Sequence, residues 1–178
     1  MALHAAITVR RPIDEVFAYW SDLTHLPTFM THLDEVEVRG DGTSHWRAKA
    51  PAGRHVEWDA RIVASEPPRL LAWESIGNAD VPNRGRVEFV QAPADRGTEV
   101  RVEINYDAPG GRLGEAVARL FGEQPRQQVE DDLRRFKQVL ETGEVLLSDG
   151  SPEGTRAIDQ ARQHEAQPLA AGDTGKER

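Results

Sequence analysis

The chain has 178 residues, 38% of them hydrophobic and 29% charged, with a formal net charge of −8 and no cysteine. This length gives one domain with room for a tail, and the missing cysteines exclude disulfides and thiolate chemistry. Acidic and basic residues are interspersed, which argues against a nucleic-acid partner, and no run of ~18 apolar residues is present to span a bilayer.

The first ten residues hold no apolar signal-peptide stretch, so the expected location is the cytoplasm. Residues 4–10 alternate, with Ala5, Ile7 and Val9 on one face, and predict a first strand. Pro12 then opens a helix, where its missing N–H costs nothing. Ile13, Val16, Phe17 and Trp20 form the apolar stripe of that helix, and Asp14 and Glu15 sit in its positive first turn. Asp22 is placed to cap a second short helix carrying Leu23, Leu26, Phe29 and Met30, interrupted by Pro27. Six alternating segments follow, at 35–39, 44–50, 56–64, 70–76, 84–90 and 99–106. Turn residues separate several of them at Asp41-Gly42, Ala52-Gly53 and Glu66-Pro67-Pro68. Over 111–141 the period becomes helical. Leu113, Val117, Leu120 and Phe121 form one stripe, and Val129, Leu133, Phe136 and Leu140 another, with a break predicted at Gly122 to Pro125. From 148 onward large apolar residues are few, which predicts a domain over 1–147 and a disordered tail over 148–178.

Folded as an antiparallel meander, the six segments bring opposite charges together. The register that does so gives Glu35–Lys49–Glu57, Glu37–Arg47–Asp59, Arg61–Glu74–Arg86–Glu103 and Glu88–Arg101. Each such pair is worth only ~0.2–1 kcal/mol, but together they fix which residues face the other way. The inward rows are then Val38–Trp46–Ala60–Ser75–Gly85–Ile104 and Gly40–Ser44–Ile62–Trp73–Val87–Val102, with Ala48 opposite Trp58 and Leu71 opposite Phe89. A sheet packed only on its own helix fills its centre with Val, Ile and Leu, because voids are costly. Here the centre is nearly without volume, which predicts a cavity; the alternative is a bulky helix residue filling the gap. The expected floor is Ala48, Ala60, Ser75 and Gly85. The expected walls are Trp46, Trp58, Trp73, Val87 and Phe89, closed by Leu113, Val117, Leu120 and Phe121 from the helix. Leucine at Gly85 or Ala60 should fill that space at little cost in stability.

One strand, two short helices, a six-strand meander and a long C-terminal helix make an α+β helix-grip fold. In it a curved seven-stranded antiparallel sheet surrounds the last helix. Certain stretches carry a further likeness: Arg11-Pro12-Ile13-Asp14-Glu15-Val16-Phe17 with Trp20-Ser21-Asp22, then Leu26-Pro27-Thr28-Phe29-Met30, Val56-Glu57-Trp58 and Gly97-Thr98-Glu99-Val100. With Asp131, Leu133, Phe136 and Lys137 at the chain's helical end, they resemble the START-like (SRPBCC) superfamily, and within it the polyketide cyclase/dehydrase and coenzyme Q-binding group. The resemblance spans about residues 3–145 and implies the same fold. It is weak for function, since such proteins bind lipids, quinones, polyketides or plant hormones and some are enzymes.

No catalytic residue is assigned from the sequence, and no cofactor. The six histidines include no pair at metal-ligand spacing, so no metal site is expected. No nucleophile elbow or phosphate loop is present. The deduced inward sheet face carries no Asp, Glu, His, Lys or Arg; its polar groups are Ser44, Ser75 and Tyr106, with Tyr19, His25 and His32 near the helix pair. The expected function is therefore binding or carriage of a hydrophobic lipid-, quinone- or polyketide-like molecule, with transient membrane contact left open. One alternative is a cyclase/aromatase- or dehydratase-like enzyme using the same cavity. Another is a protein-interaction module. A titratable residue in the cavity would favour the enzyme.

Overall fold

The structure, a computed structural model, describes residues 2–106 and 124–143. Strand β1 (Ala2–Val9) leads into helix α1 (Ile13–Ser21), a 3₁₀ turn (Leu23–His25) and the single-turn helix α2 (Leu26–Phe29). Strands β2 (Leu33–Val38), β3 (Thr43–Ala50), β4 (Arg54–Glu66), β5 (Leu70–Ile76), β6 (Asn83–Gln91) and β7 (Thr98–Tyr106) follow, then helix α3 (Pro125–Thr142). The strands make one curved seven-stranded antiparallel sheet in the order β1-β7-β6-β5-β4-β3-β2, so β1 and β2 are the edges. This is the helix-grip arrangement expected from the sequence.

Apart from the end of β4 beyond Ile62, each strand keeps the face that its alternation assigns, and two of the five meander hairpins keep the expected register. Arg61 pairs with Glu74 across β4 and β5, and Arg86 with Glu103 across β6 and β7. The other three slide by two residues. Val38 lies opposite Ser44, Trp46 opposite Trp58, and Trp73 opposite Gly85. A slide of two preserves the facing of every side chain, because the strand period is two. The turns decide it. Asp41 Oδ1 accepts from Thr43 N at 3.0 Å, and Arg39 N donates to Thr43 O at 2.8 Å, so the first turn closes tighter than expected and Val38 meets Ser44 rather than Trp46. The next turn tightens in the same sense, with Ala52 and Gly53 both at positive φ, 63° and 70°. A bulge at Val63 then interrupts the β4–β5 ladder.

Helix α3 packs against the sheet near β1. Val129, Leu133, Phe136 and Leu140, the stripe read from the sequence, are all buried. Polar groups hold both flanks. Lys137 Nζ donates to Thr8 O at 2.6 Å, Arg10 N to Glu141 Oε1 at 2.7 Å, and Arg11 Nε to Leu140 O at 2.7 Å. On the other side Arg135 Nε donates to Phe29 O at 3.2 Å. Gln124 is non-helical and Pro125 opens the helix; Gly122, where the predicted break begins, lies outside the described residues. Leu113, Val117, Leu120, Phe121 and the tail over 148–178 lie outside the described residues.

An aromatic cluster fills the junction of the helices with the sheet. Phe136 meets Trp20 edge-on at 4.8 Å and Phe29 at 4.9 Å, and Phe17 meets Phe89 edge-on at 5.3 Å. Gly97 locks the β6–β7 turn beneath the β1–α1 junction. Its φ is 101°, and a Cβ there would sit 2.0 Å from Val9 O. Only glycine fits such a backbone approach.

Candidate functional site

The inward sheet face and the helices enclose a cavity of about 60 Å³. Trp46, Trp58 and Trp73 line its sheet side, and Trp20 its helical side. Leu26, Met30, Val129 and Leu133 add apolar wall from α2, the residue after it and α3. Hydrocarbon-lined cavities near 150 Å³ accommodate benzene. A ring-sized guest here therefore requires a wall to shift. Met30 is suited to this by its unbranched, adaptable side chain, and Trp73 by being only half-buried.

The three sheet tryptophans differ in what satisfies their N–H groups. Trp46 and Trp58 face each other across β3 and β4, with rings stacked at 5.8 Å and 20°. Trp46 Nε1 donates to Ser44 Oγ at 2.8 Å, and that hydroxyl lies 3.4 Å from Ala60 O. Trp73 Nε1 donates to Asn83 Oδ1 at 3.2 Å, and Asn83 N donates to Ser75 Oγ at 2.9 Å. Trp58 Nε1 is buried and has no hydrogen-bond partner among the described residues. A buried donor left unpaired costs about 1–3 kcal/mol.

Other expected site residues are placed differently. Gly85 is not open floor. Its missing side chain makes room for the Trp73 indole, whose Cζ2 lies 2.3 Å from where a Cβ would stand. The low volume at the sheet's centre is thus taken up partly by the sheet's own tryptophan. The expectation of a harmless leucine there fails for that reason. Ala48, Ala60, Val87 and Phe89 are buried but do not line the cavity, and Ser75 spends its hydroxyl on the Asn83 backbone. Phe89 belongs instead to the aromatic cluster.

The cavity also has a polar end, of which the sequence reading names Tyr106 and His32 but neither Asn83 nor Asp132. His32, Asn83, Tyr106 and Asp132 contribute to the lining. Asp132 on α3 is buried, and its Oδ2 lies 3.3 Å from His32 Nδ1. Its Oδ1 accepts from Gln128 Nε2 at 3.1 Å and Arg135 Nη2 at 3.3 Å. Burial, and secondarily the negative charge of Asp132, push the Tyr106 hydroxyl well above the usual tyrosine range. The absence of titratable groups inferred for the sheet face therefore does not extend to the cavity, because the helix and the segment after α2 supply them. The signal was present: Asp132 falls three residues after Val129 and four before Phe136, on the buried stripe.

Among the described residues no cluster of three or more His, Asp or Glu is arranged to hold a metal ion. His45 instead bonds Asp59 at 2.7 Å on the outer face, and His55 pairs with Asp34 at 3.0 Å.

The model of the polyketide cyclase / dehydrase and lipid transport family matches residues 9–134. The chain belongs to that family. A Deinococcus radiodurans protein of known crystal structure is 40% identical, the match covering 81% of this chain and all of that one, with a TM-score of 0.65. An uncharacterised 17.2 kDa protein of Streptomyces lincolnensis is 27% identical over 76% of this chain and 87% of its own length. The Zhui aromatase/cyclase from Streptomyces sp. R1128, at 16% identity and a TM-score of 0.56 over 82% of this chain and 99% of that one, shares the fold. No helix among the described residues is long and apolar enough to cross a membrane.

Proposed function

We propose that this member of the polyketide cyclase / dehydrase and lipid transport family binds a hydrophobic, ring-containing small molecule in the tryptophan-lined cavity. The observation that carries the reading is the cavity itself, bordered by Trp20, Trp46, Trp58 and Trp73 and closed at one end by Asp132, His32 and Tyr106. Four indoles give a ring broad apolar surface at about 25 cal/mol per Å² buried, with stacking added. The polar end orients a guest that carries oxygen.

A second reading rests on Asp132 and His32. A carboxylate and an imidazole 3.3 Å apart at a cavity wall are the kind of pair that takes and returns a proton. In a cyclase- or dehydratase-like enzyme they would act at a substrate C–H or O–H beside Tyr106.

Native mass spectrometry of the full chain purified from its own source tests both. A co-purifying mass of hydrophobic character is expected. Recovery of that compound unchanged after incubation supports carriage. Conversion that disappears in Asp132→Asn supports the enzyme. Protein at its formula mass, with no saturable tryptophan quenching by small aromatic compounds, overturns cavity binding.

A further inference from the structure

We infer that the Trp58 indole N–H is the donor that reads the cavity's ligand, so that the ligand is a neutral ring bearing a carbonyl-type acceptor oxygen. The inference rests on the cavity-binding reading and sharpens it to a chemical class. Two observations carry it. First, Trp58 is 6% exposed and borders the cavity, yet its Nε1 has no acceptor among the described residues, whereas the N–H groups of Trp46 and Trp73 are used by Ser44 and Asn83. The ring of Trp58 is held by stacking on Trp46, so the donor is fixed in orientation before any guest arrives. A site built around a buried, unpaired donor rejects analogues that lack the matching acceptor more strongly than apolar contact alone does. Second, the charge on the lining has one sign to repel. Among the described residues the cavity wall includes the Asp132 carboxylate and no Lys or Arg; Arg135 reaches Asp132 but is not part of the wall. A carboxylate-bearing guest such as a free fatty acid meets a buried like charge, which binding in a dry site does not tolerate.

The test uses three probes of one size on the full chain: acetophenone, ethylbenzene and benzoate, with affinities from calorimetry. Acetophenone is expected to bind about tenfold more tightly than ethylbenzene, the scale of one hydrogen bond to an otherwise unpaired donor, and benzoate most weakly. In Trp58→Phe the acetophenone preference should fall below about twofold while ethylbenzene still binds, which separates loss of reading from loss of the cavity. Indole ¹H–¹⁵N spectra of the unmodified protein give the same answer without a variant. The Trp58 N–H resonance should move downfield with acetophenone and not with ethylbenzene. Equal affinity for the ketone and the hydrocarbon, a preference that survives Trp58→Phe, a Trp58 resonance unmoved by the ketone, or benzoate binding as tightly as acetophenone would each overturn the inference. Absence of binding by all three overturns the cavity reading itself.

Discussion

Gly85→Ala adds one methyl group to the sheet, and the structure says where it goes. The new Cβ would lie 2.3, 2.6 and 2.9 Å from Cζ2, Cη2 and Cε2 of Trp73. Ordinary carbon contact begins near ~3.5 Å, so the indole must retreat by about an ångström or the strand must bend. Retreat stretches the bond from Trp73 Nε1 to Asn83 Oδ1, already 3.2 Å long. Overpacking of this kind costs about 1–3 kcal/mol, which for a domain of this size lowers Tm by roughly 2–12 °C. Urea unfolding followed by tryptophan emission measures it, and the same spectra report whether Trp73 has moved toward water. The cycle with Trp73→Leu isolates the cause. With the indole gone, Gly85→Ala should change stability by less than about 0.5 kcal/mol. If the alanine is silent in the unmodified protein, or equally harmful without the indole, Gly85 is not there to seat Trp73.

Gly97→Ala should cost about 2–3 kcal/mol by the same assay, since its φ of 101° and the nearby Val9 carbonyl both exclude a side chain. Asp132→Ala should lose about 1–3 kcal/mol, because Gln128 and Arg135 lose a buried acceptor; an unchanged urea midpoint would show that solvent replaces it. The raised Tyr106 pKa makes a pH prediction. The folded protein keeps the phenol proton that the unfolded chain releases, so stability is undiminished below about pH 10 and falls as pH rises above it. In Tyr106→Phe that alkaline slope should flatten when melting is followed from pH 8 to 11.

The faces of the sheet were legible because alternation with a period of two survives any slide of two. Register was legible only where one answer pairs the charges. Arg61 and Arg86 found Glu74 and Glu103 as read. Elsewhere charges recur at every second position. Glu57 is matched by Lys49 or by Arg47, and Glu74 by Arg86 or by Arg84. The choice then fell to turn geometry and to the room beside Gly85. The sheet tryptophans of the cavity were readable from the strands, since Trp46, Trp58 and Trp73 share the inward phase; Trp20 on α1 was read only as part of that helix's apolar stripe. The acidic end was not readable, because it needs α3 laid across the sheet. Asp131 and Asp132 are neighbours in sequence; helical phase marks Asp132, in step with Val129 and Phe136, as the buried one, but only the docked helix shows that its carboxylate borders the cavity while the half-buried Asp131 pairs with Arg134.

The β2 edge bears on how copies of the chain meet one another. Among the described residues its outer backbone groups have no strand beside them, which is the usual template for joining sheets between molecules. Yet β2 is only six residues long, its ladder shifts between Leu33 and Glu35, and it carries Asp34, Glu35 and Glu37. Two molecules approaching edge to edge through β2 would set carboxylates against carboxylates on a short, irregular ladder. With −8 net charge on each chain, this edge resists sheet extension and favours solubility at high concentration.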